Sequence, residues 1–186
     1  MKIVIFAAAL RKTSLNRLLA IQSVQLLRKE TKHQIDYRDF HEFEMPIYNG
    51  DLEEMSGIPE GGIRFVEMLS GADAIIISTP EYNGGIPGAL KNALDWASRH
   101  EPVPISGKPL LLLSASPGSL GGVRGLWHTR VPLEALGAIV FPEMFGLQKA
   151  DEAFGPDGTF KDHKTEIRLE ALLRKFISVS ERLTQN

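Results

Sequence analysis

The sequence predicts an α/β protein in which a parallel β-sheet lies between two layers of helices. Three observations predict it. Five short apolar runs stand out along the chain: Lys2–Phe6, Gln34–Tyr37, Asp73–Ser78, Leu110–Ala115 and Ala138–Phe141. Segments with helical spacing separate them, so strand and helix alternate throughout, as in a parallel sheet built with helical crossovers. The third and fourth runs, Ala-Ile-Ile-Ile-Ser and Leu-Leu-Leu-Leu-Ser, are unbroken rather than alternating, which marks strands covered on both faces.

The helices follow in order. Ser14–Lys32 carries Leu15, Leu18, Leu19 and Leu26 near one face, with Thr13 or Ser14 placed as its N-cap. Ile63–Leu69 reads as a shorter helix, and Pro87–Arg99 as another with proline at its first turn. A further helix is expected between Gly122 and Leu136, distorted or restarted by Pro132. The last, Lys164–Leu183, has Leu169, Leu172, Leu173, Phe176 and Leu183 as its buried stripe. Phe40–Pro59, acidic and rich in turn residues, reads as a surface excursion, and Lys149–Asp162 as a loop. Right-handed crossovers leave few topologies for five parallel strands, and the order 2-1-3-4-5 suits them: a flavodoxin-like three-layer sandwich. No repeat or linker divides the chain, so residues 1–186 are expected to form one domain.

Composition narrows the function. The 21 Lys and Arg nearly balance the 23 Asp and Glu, leaving −2, so there is no electrostatic footprint for nucleic acid or an anionic membrane. With no cysteine, thiolate catalysis, iron–sulfur clusters and thiolate zinc sites are excluded. The apolar start, Met1 to Leu10, is too short to span a membrane and runs into Arg11 and Lys12 without a signal-peptide layout. A cytoplasmic protein is expected. Its five histidines are scattered and form no metal-ligand spacing.

In a sheet of this order, ligands bind beyond the carboxyl ends of the strands where the order reverses, between strands 1 and 3. The loops after strands 1, 3 and 4 meet there. The first, Ala7 to Arg17, leads into a helix N-terminus, whose free N–H groups and dipole favour an anion. Arg11 adds a bidentate cation, and Ser14 and Asn16 add donors of the right reach for phosphate oxygens. Neither a P-loop nor a Gly-x-Gly-x-x-Gly pattern is present. The second, Thr79 to Trp96, has prolines and glycines whose backbone can lie against a flat ligand, with Tyr82 to pack on it. The third, Ser114 to Arg124, again combines glycines with hydroxyl donors. A phosphate site and a planar-ring site on adjacent loops suggest flavin mononucleotide.

At these residues the chain resembles the NADPH-dependent FMN reductase family, which includes quinone, chromate and azo-dye reductases. Pro80-Glu81-Tyr82-Asn83-Gly84 through Lys91-Asn92-Ala93-Leu94-Asp95-Trp96 is similar to that family's signature segment. Leu10-Arg11-x-x-Ser14-x-Asn16 and Ser114-Ala115-Ser116-Pro117-Gly118 with Gly121-Gly122 match in the same order. The resemblance runs from residue 1 to about 150. It implies FMN phosphate on Arg11, Ser14, Leu15 and Asn16, the isoalloxazine on Pro80, Glu81, Tyr82, Asn83 and Gly84, and Ser116 closing the site. It further implies NADPH or NADH as hydride donor and a homodimer or homotetramer, with the helix around Leu94–Trp96 as a candidate interface. Where the family usually has Gly-Ser before the Leu-Arg pair, this chain has Ala8-Ala9. One lost hydroxyl donor is worth about 1 kcal/mol or somewhat more, a roughly tenfold weaker phosphate site.

If FMN binds, it carries the chemistry in a ping-pong sequence from NAD(P)H to a quinone, flavin, azo compound or metal oxyanion, with no side-chain acid or base required. Glu81 and Asp95 then serve as capping or loop ties rather than as a catalytic pair. His128 reads as a helix-surface histidine. Two other classes compete: a serine hydrolase using Ser116 or Ser119, although neither sits in Gly-x-Ser-x-Gly, and a non-catalytic flavin- or nucleotide-binding protein with a weakened phosphate loop.

Overall fold

The computed structural model describes residues 1–184; residues 185 and 186, which the one-domain reading includes, lie outside the described residues. Strand β1 (Lys2–Ala7) leads to α1 (Leu15–Glu30) and β2 (Gln34–Arg38). A 3₁₀ turn (Phe40–Phe43), α2 (Gly50–Ser56) and α3 (Glu60–Ser70) precede β3 (Ala74–Ser78) and α4 (Gly88–Ala97). The chain continues through β4 (Pro109–Ala115), α5 (Val123–Ala135), β5 (Ile139–Val140), β6 (Phe145–Leu147), α6 (Ala150–Ala153) and α7 (His163–Thr184). All pairings are parallel, in the order β2-β1-β3-β4-β5, with β6 also on β4.

The unbroken apolar runs have a direct cause. Along β1, Ile3 and Ile5 face the layer of α1 and α7, where they pack with Leu19, Leu27, Leu169 and Phe176. Val4 and Phe6 face the other layer with Phe65, Leu90 and Leu126. Successive side chains of a strand point to opposite faces, so a sheet buried on both sides needs apolar residues at every position. β3 does the same with Ile76 against Ile75 and Ile77.

Three expectations change. The fifth strand is split, which gives six strands rather than five. Val140 pairs with Leu110, whereas Phe145 pairs with Leu113, so five residues on one side span three on the other. Pro142 lies in the gap; lacking an N–H, it cannot continue the ladder. In α7, Leu183 is 40% exposed, and Ile177 and Ser180 complete the buried stripe instead. Helix α5 runs on through Pro132 to Ala135.

The excursion after β2 is anchored rather than loose. Phe40 and Phe43 are buried, Phe40 stacks on Phe6 at 5.9 Å and Phe43 meets Phe65 edge-on at 5.2 Å. Asp39 and Glu42 form a reciprocal capping box around the 3₁₀ turn. The segment 149–162 likewise contains α6 and a bridge between Phe154 and Phe160, whose rings stack at 5.1 Å. Leu94 and Trp96 are buried in the chain's own core, so they offer nothing to a second subunit. No helix among the described residues is long and apolar enough to cross a membrane.

Candidate functional site

The loops after β1, β3 and β4 stand side by side because those strands are neighbours in the sheet. Short ladder extensions hold their bases: Ala8 N–H donates to the Ser78 carbonyl at 2.9 Å, and Thr79 N–H to the Leu113 carbonyl at 2.8 Å. Asn16, in the first turn of α1, ties that helix to the ends of β3 and β4. Its Nδ2 donates to the Ala115 carbonyl (2.9 Å), while its Oδ1 accepts from Ala115 N–H (2.9 Å) and Ser78 Oγ (3.0 Å). This fully buried amide is a tie between β3, β4 and α1, not a side chain turned toward a ligand.

Ser14 is the N-cap of α1, its Oγ accepting from Asn16 N–H at 3.2 Å. The N–H of Leu15 has no acceptor among the described residues, so it remains available to an anion at the helix N-terminus. Arg11 stands beside it. Its only hydrogen bond among the described residues is from Nε to Thr13 Oγ1 at 2.9 Å, and it forms no ion pair there. Arg17, Arg38 and Arg124, by contrast, are each paired with a carboxylate. Ala8 and Ala9 are buried and neither has positive φ; among the described non-glycine residues only Asn83 and Lys149 do. Alanine in place of glycine at position 8 therefore carries no backbone strain. What remains of the difference at these two positions is the hydroxyl that Ala9 lacks. Ala9→Ser is expected to tighten FMN binding about tenfold by restoring a donor; quenching of flavin fluorescence measures it, and an unchanged Kd would place the phosphate elsewhere.

The loop after β3 ends in a two-residue hairpin. Tyr82 and Gly85 exchange backbone hydrogen bonds of 3.2 and 3.0 Å, and Asn83 and Gly84 have φ of 52° and 77°. Two left-handed residues make a type I′ turn, for which Asn-Gly is the preferred pair. The hairpin leaves the amides of Asn83 and Gly84 without an acceptor among the described residues, and the Tyr82 ring more than half exposed. Pro80 is buried beneath them.

Glu81 faces away from this surface. Its carboxylate accepts from Arg124 Nε at 2.8 Å and from Gly125 N–H at 3.1 Å. Gly125 is the third residue of α5, whose N-cap, Gly122, has no side chain, so Glu81 caps that helix from another loop. A Cβ on Gly125 would lie 2.8 Å from the Cβ of Glu81, which explains the glycine. Burial pushes the Glu81 carboxyl up, but the hydrogen bonds from Gly125 and Arg124 outweigh it and leave the pKa below the usual glutamate value. A depressed folded pKa adds stability above the unfolded value, near 4.3, and that stability is lost as pH falls through the folded value. Glu81→Gln should therefore lower the melting temperature at pH 7, and the difference should shrink as pH falls below the unfolded value and on through the lower folded one. A difference independent of pH would refute the charged tie.

Ser116, after β4, has its backbone engaged with Leu147 and Ala150, and its Oγ accepts from Gly118 N–H at 3.2 Å. Its hydroxyl proton stays free to donate. No histidine is hydrogen-bonded to Ser116 or Ser119 among the described residues, which leaves the hydrolase without a base. Asp95 pairs with Lys91 one helical turn away, and His128 is exposed on α5 beside Gly85. Ser114 Oγ, buried under Gly122, has no hydrogen-bond partner among the described residues. Lys149, in left-handed backbone beside Gly118, was not marked by any sequence pattern. The same is true of the apolar strap Met45-Pro46-Ile47, which walls a cavity next to the crevice. Its only signal was three apolar residues inside an acidic stretch.

An unpaired arginine at a helix N-terminus, next to a turn with free amides and an exposed aromatic ring, defines a flavodoxin-type crevice that can hold a phosphate at one end and a flat ring at the other. The model of the NADPH-dependent FMN reductase family matches residues 1–152, and the chain belongs to that family. A quinone reductase of Escherichia coli K12 is 41% identical over 105 residues, 55% of this chain and 56% of that protein, so the match spans about half its length. An NAD(P)H-dependent FMN reductase of Pseudomonas aeruginosa is 39% identical over 132 residues, 70% of each chain. Among solved structures, the flavoenzyme NAD(P)H:(acceptor) oxidoreductase FerB of Paracoccus denitrificans superposes with a TM-score of 0.82 over 97% of both chains, at 30% identity.

Proposed function

We propose that this chain, acting as one FMN-binding domain, is an NAD(P)H-dependent oxidoreductase that passes two electrons from a reduced nicotinamide to a small-molecule acceptor, with quinones foremost. The observation that carries this reading is the unpaired Arg11 at the N-terminus of α1, beside the Tyr82–Gly85 turn. Arg11, the Ser14 hydroxyl and the Leu15 amide would hold the phosphate; the side chain of Asn16 positions them from below. Tyr82 would pack on the ring, with the amides of Asn83 and Gly84 and the Ser116 hydroxyl available to its polar edge. Bound FMN would supply hydride chemistry, for the overall reaction NAD(P)H + H⁺ + quinone → NAD(P)⁺ + hydroquinone.

No side chain here needs to move a proton. Glu81 is held by Arg124 and Gly125, and among the described residues no histidine is tied to the crevice loops by a hydrogen bond. Nicotinamide and acceptor would use one open face in turn, giving ping-pong kinetics. The relatives named quinone reductase and NAD(P)H-dependent FMN reductase support the acceptor and donor classes. A cytoplasmic location and a homodimer or homotetramer fit the same reading.

The methyl of Ala9 favours a second reading, a flavin-binding protein without turnover. One experiment separates the two: the visible spectrum of the protein with added FMN, before and after anaerobic NADPH. A bound-flavin band that bleaches is expected. A bound band that does not bleach indicates the non-catalytic protein, and no bound flavin at all overturns both.

A further inference from the structure

Strand β2 ends the sheet order, and no described strand pairs with its outer side. Across the inner ladder, Gln34 N–H donates to the Met1 carbonyl at 3.1 Å. Backbone groups alternate in direction along a strand, so His33, Ile35, Tyr37 and Asp39 turn theirs outward. The N–H groups at the two ends of this row are taken, His33's by Thr31 Oγ1 at 3.1 Å and Asp39's by Glu42 Oε1 at 2.9 Å. Those of Ile35 and Tyr37, between them, have no acceptor among the described residues.

A groove of about 470 Å³ runs beside this open edge. One wall is the stripe Ile21-Val24-Gln25-Arg28 of α1, and the other is formed by Ile35 and Tyr37. Residues spaced by three and four along a helix share a face, so the stripe lines the groove along its length. Its floor is apolar: Val24 is buried, and Ile35 and Tyr37 pack on the core beneath α1. Its end at the C-terminus of α1 is basic. Arg28, Lys29 and Lys32 are exposed and form no ion pair among the described residues. Gln25 Oε1 accepts from Gln22 Nε2 at 3.1 Å, which leaves its own Nε2 to donate. The carboxylate of the lining, Asp36, is already paired with Lys2 at 3.2 Å.

An open strand edge beside an apolar groove is the geometry of strand addition. Backbone hydrogen bonds then supply affinity, and every second side chain enters a pocket. Charge chooses the occupant. A second copy of this edge, meeting it antiparallel about a two-fold axis centred on β2, would set Asp36 opposite its own copy. It would bring no acid to the three cations. We infer that the outer edge of β2 docks an extended acidic segment of another protein, which adds a strand at Ile35 and Tyr37, buries an apolar side chain against Val24 and places a carboxylate at Arg28. The crevice lies on the other side of β1, between the loops after β1 and β3, so the docked strand leaves it open. The inference does not depend on the flavin-reductase reading.

The probe is a fluorescein-labelled octapeptide of alternating valine and glutamate. Two controls accompany it: lysine in place of glutamate, and the glutamate peptide with every amide N-methylated, which cannot form a ladder. Anisotropy at low ionic strength should show saturable binding of the glutamate peptide, about tenfold weaker binding of the lysine peptide, and none of the N-methylated one. Salt should narrow the difference between the two charged peptides. Arg28→Glu should weaken the glutamate peptide and tighten the lysine peptide, with FMN retention as in the parent. Hydrogen exchange of the full chain should slow at the Ile35 and Tyr37 amides when the glutamate peptide is bound. No saturable binding, equal affinity for the two charged peptides, or binding that survives N-methylation would overturn the inference. So would sedimentation and exchange showing a peptide-free dimer that already protects those two amides, because a second copy would then hold the edge.

Discussion

Arg11→Ala is expected to weaken FMN binding about thirty- to a hundredfold while leaving the melting temperature within about 2 °C of the parent. The first figure is the loss of charge-assisted hydrogen bonds to a phosphate, about 2–2.7 kcal/mol. The second follows from the side chain's surroundings: exposed and, among the described residues, unpaired and bonded only to Thr13. Arg11→Lys should fall between the two, because it keeps the charge and loses the planar fork. Flavin absorbance retained after gel filtration and a fluorescence titration measure both. A Kd unchanged by Arg11→Ala would remove the phosphate from this loop.

Asn16→Ala shows the opposite pattern, a fold that fails before the ligand does. It leaves Ser78 Oγ and both the N–H and carbonyl of Ala115 without their partner in a fully buried position. At about 1 kcal/mol or more per orphaned group, the loss is about 3 kcal/mol. For a chain of this size that lowers the melting temperature by roughly 6–12 °C. Asn16→Asp should be at least as severe, since it sets a carboxylate oxygen against the Ala115 carbonyl in place of a donor. Urea unfolding measures both. A loss below about 0.5 kcal/mol for Asn16→Ala would show that the amide is not the tie between α1 and the two strands. FMN binding should also weaken in these variants, in step with stability, unlike in Arg11→Ala.

The contrast between Arg11 and Asn16 shows what a sequence can express about such a site. Both lie in one phosphate-type loop and both carry donors of suitable reach. They differ in the direction of the side chain, which depends on how α1 is rotated against the sheet. Burial of Leu19, Ala20 and Leu27 sets that rotation, and it turns Asn16 inward. Glu81 is similar. Its place in the signature segment suggested a tie, but the residues it ties, Arg124 and Gly125, lie more than forty positions away. The proline that splits β5 from β6 was visible, yet its effect depends on which neighbour would have taken the missing N–H.

By itself the sequence determined the layer order, because the unbroken apolar runs Ile3–Ala7 in β1, Ala74–Ile77 in β3 and Leu110–Leu113 in β4 suit a parallel sheet covered on both faces. It narrowed the cap of α1 to Thr13 or Ser14, because capping depends on local backbone chemistry within a few residues. Only the tertiary structure decided which polar side chains face the crevice and which face the core. It alone closed the cavity behind Pro46, where the strap, α3 and α4 meet through residues some twenty to fifty positions apart. Local signals act through bonds a chain makes with its near neighbours. Side-chain direction at a site is set by long-range packing, which no short window of sequence contains.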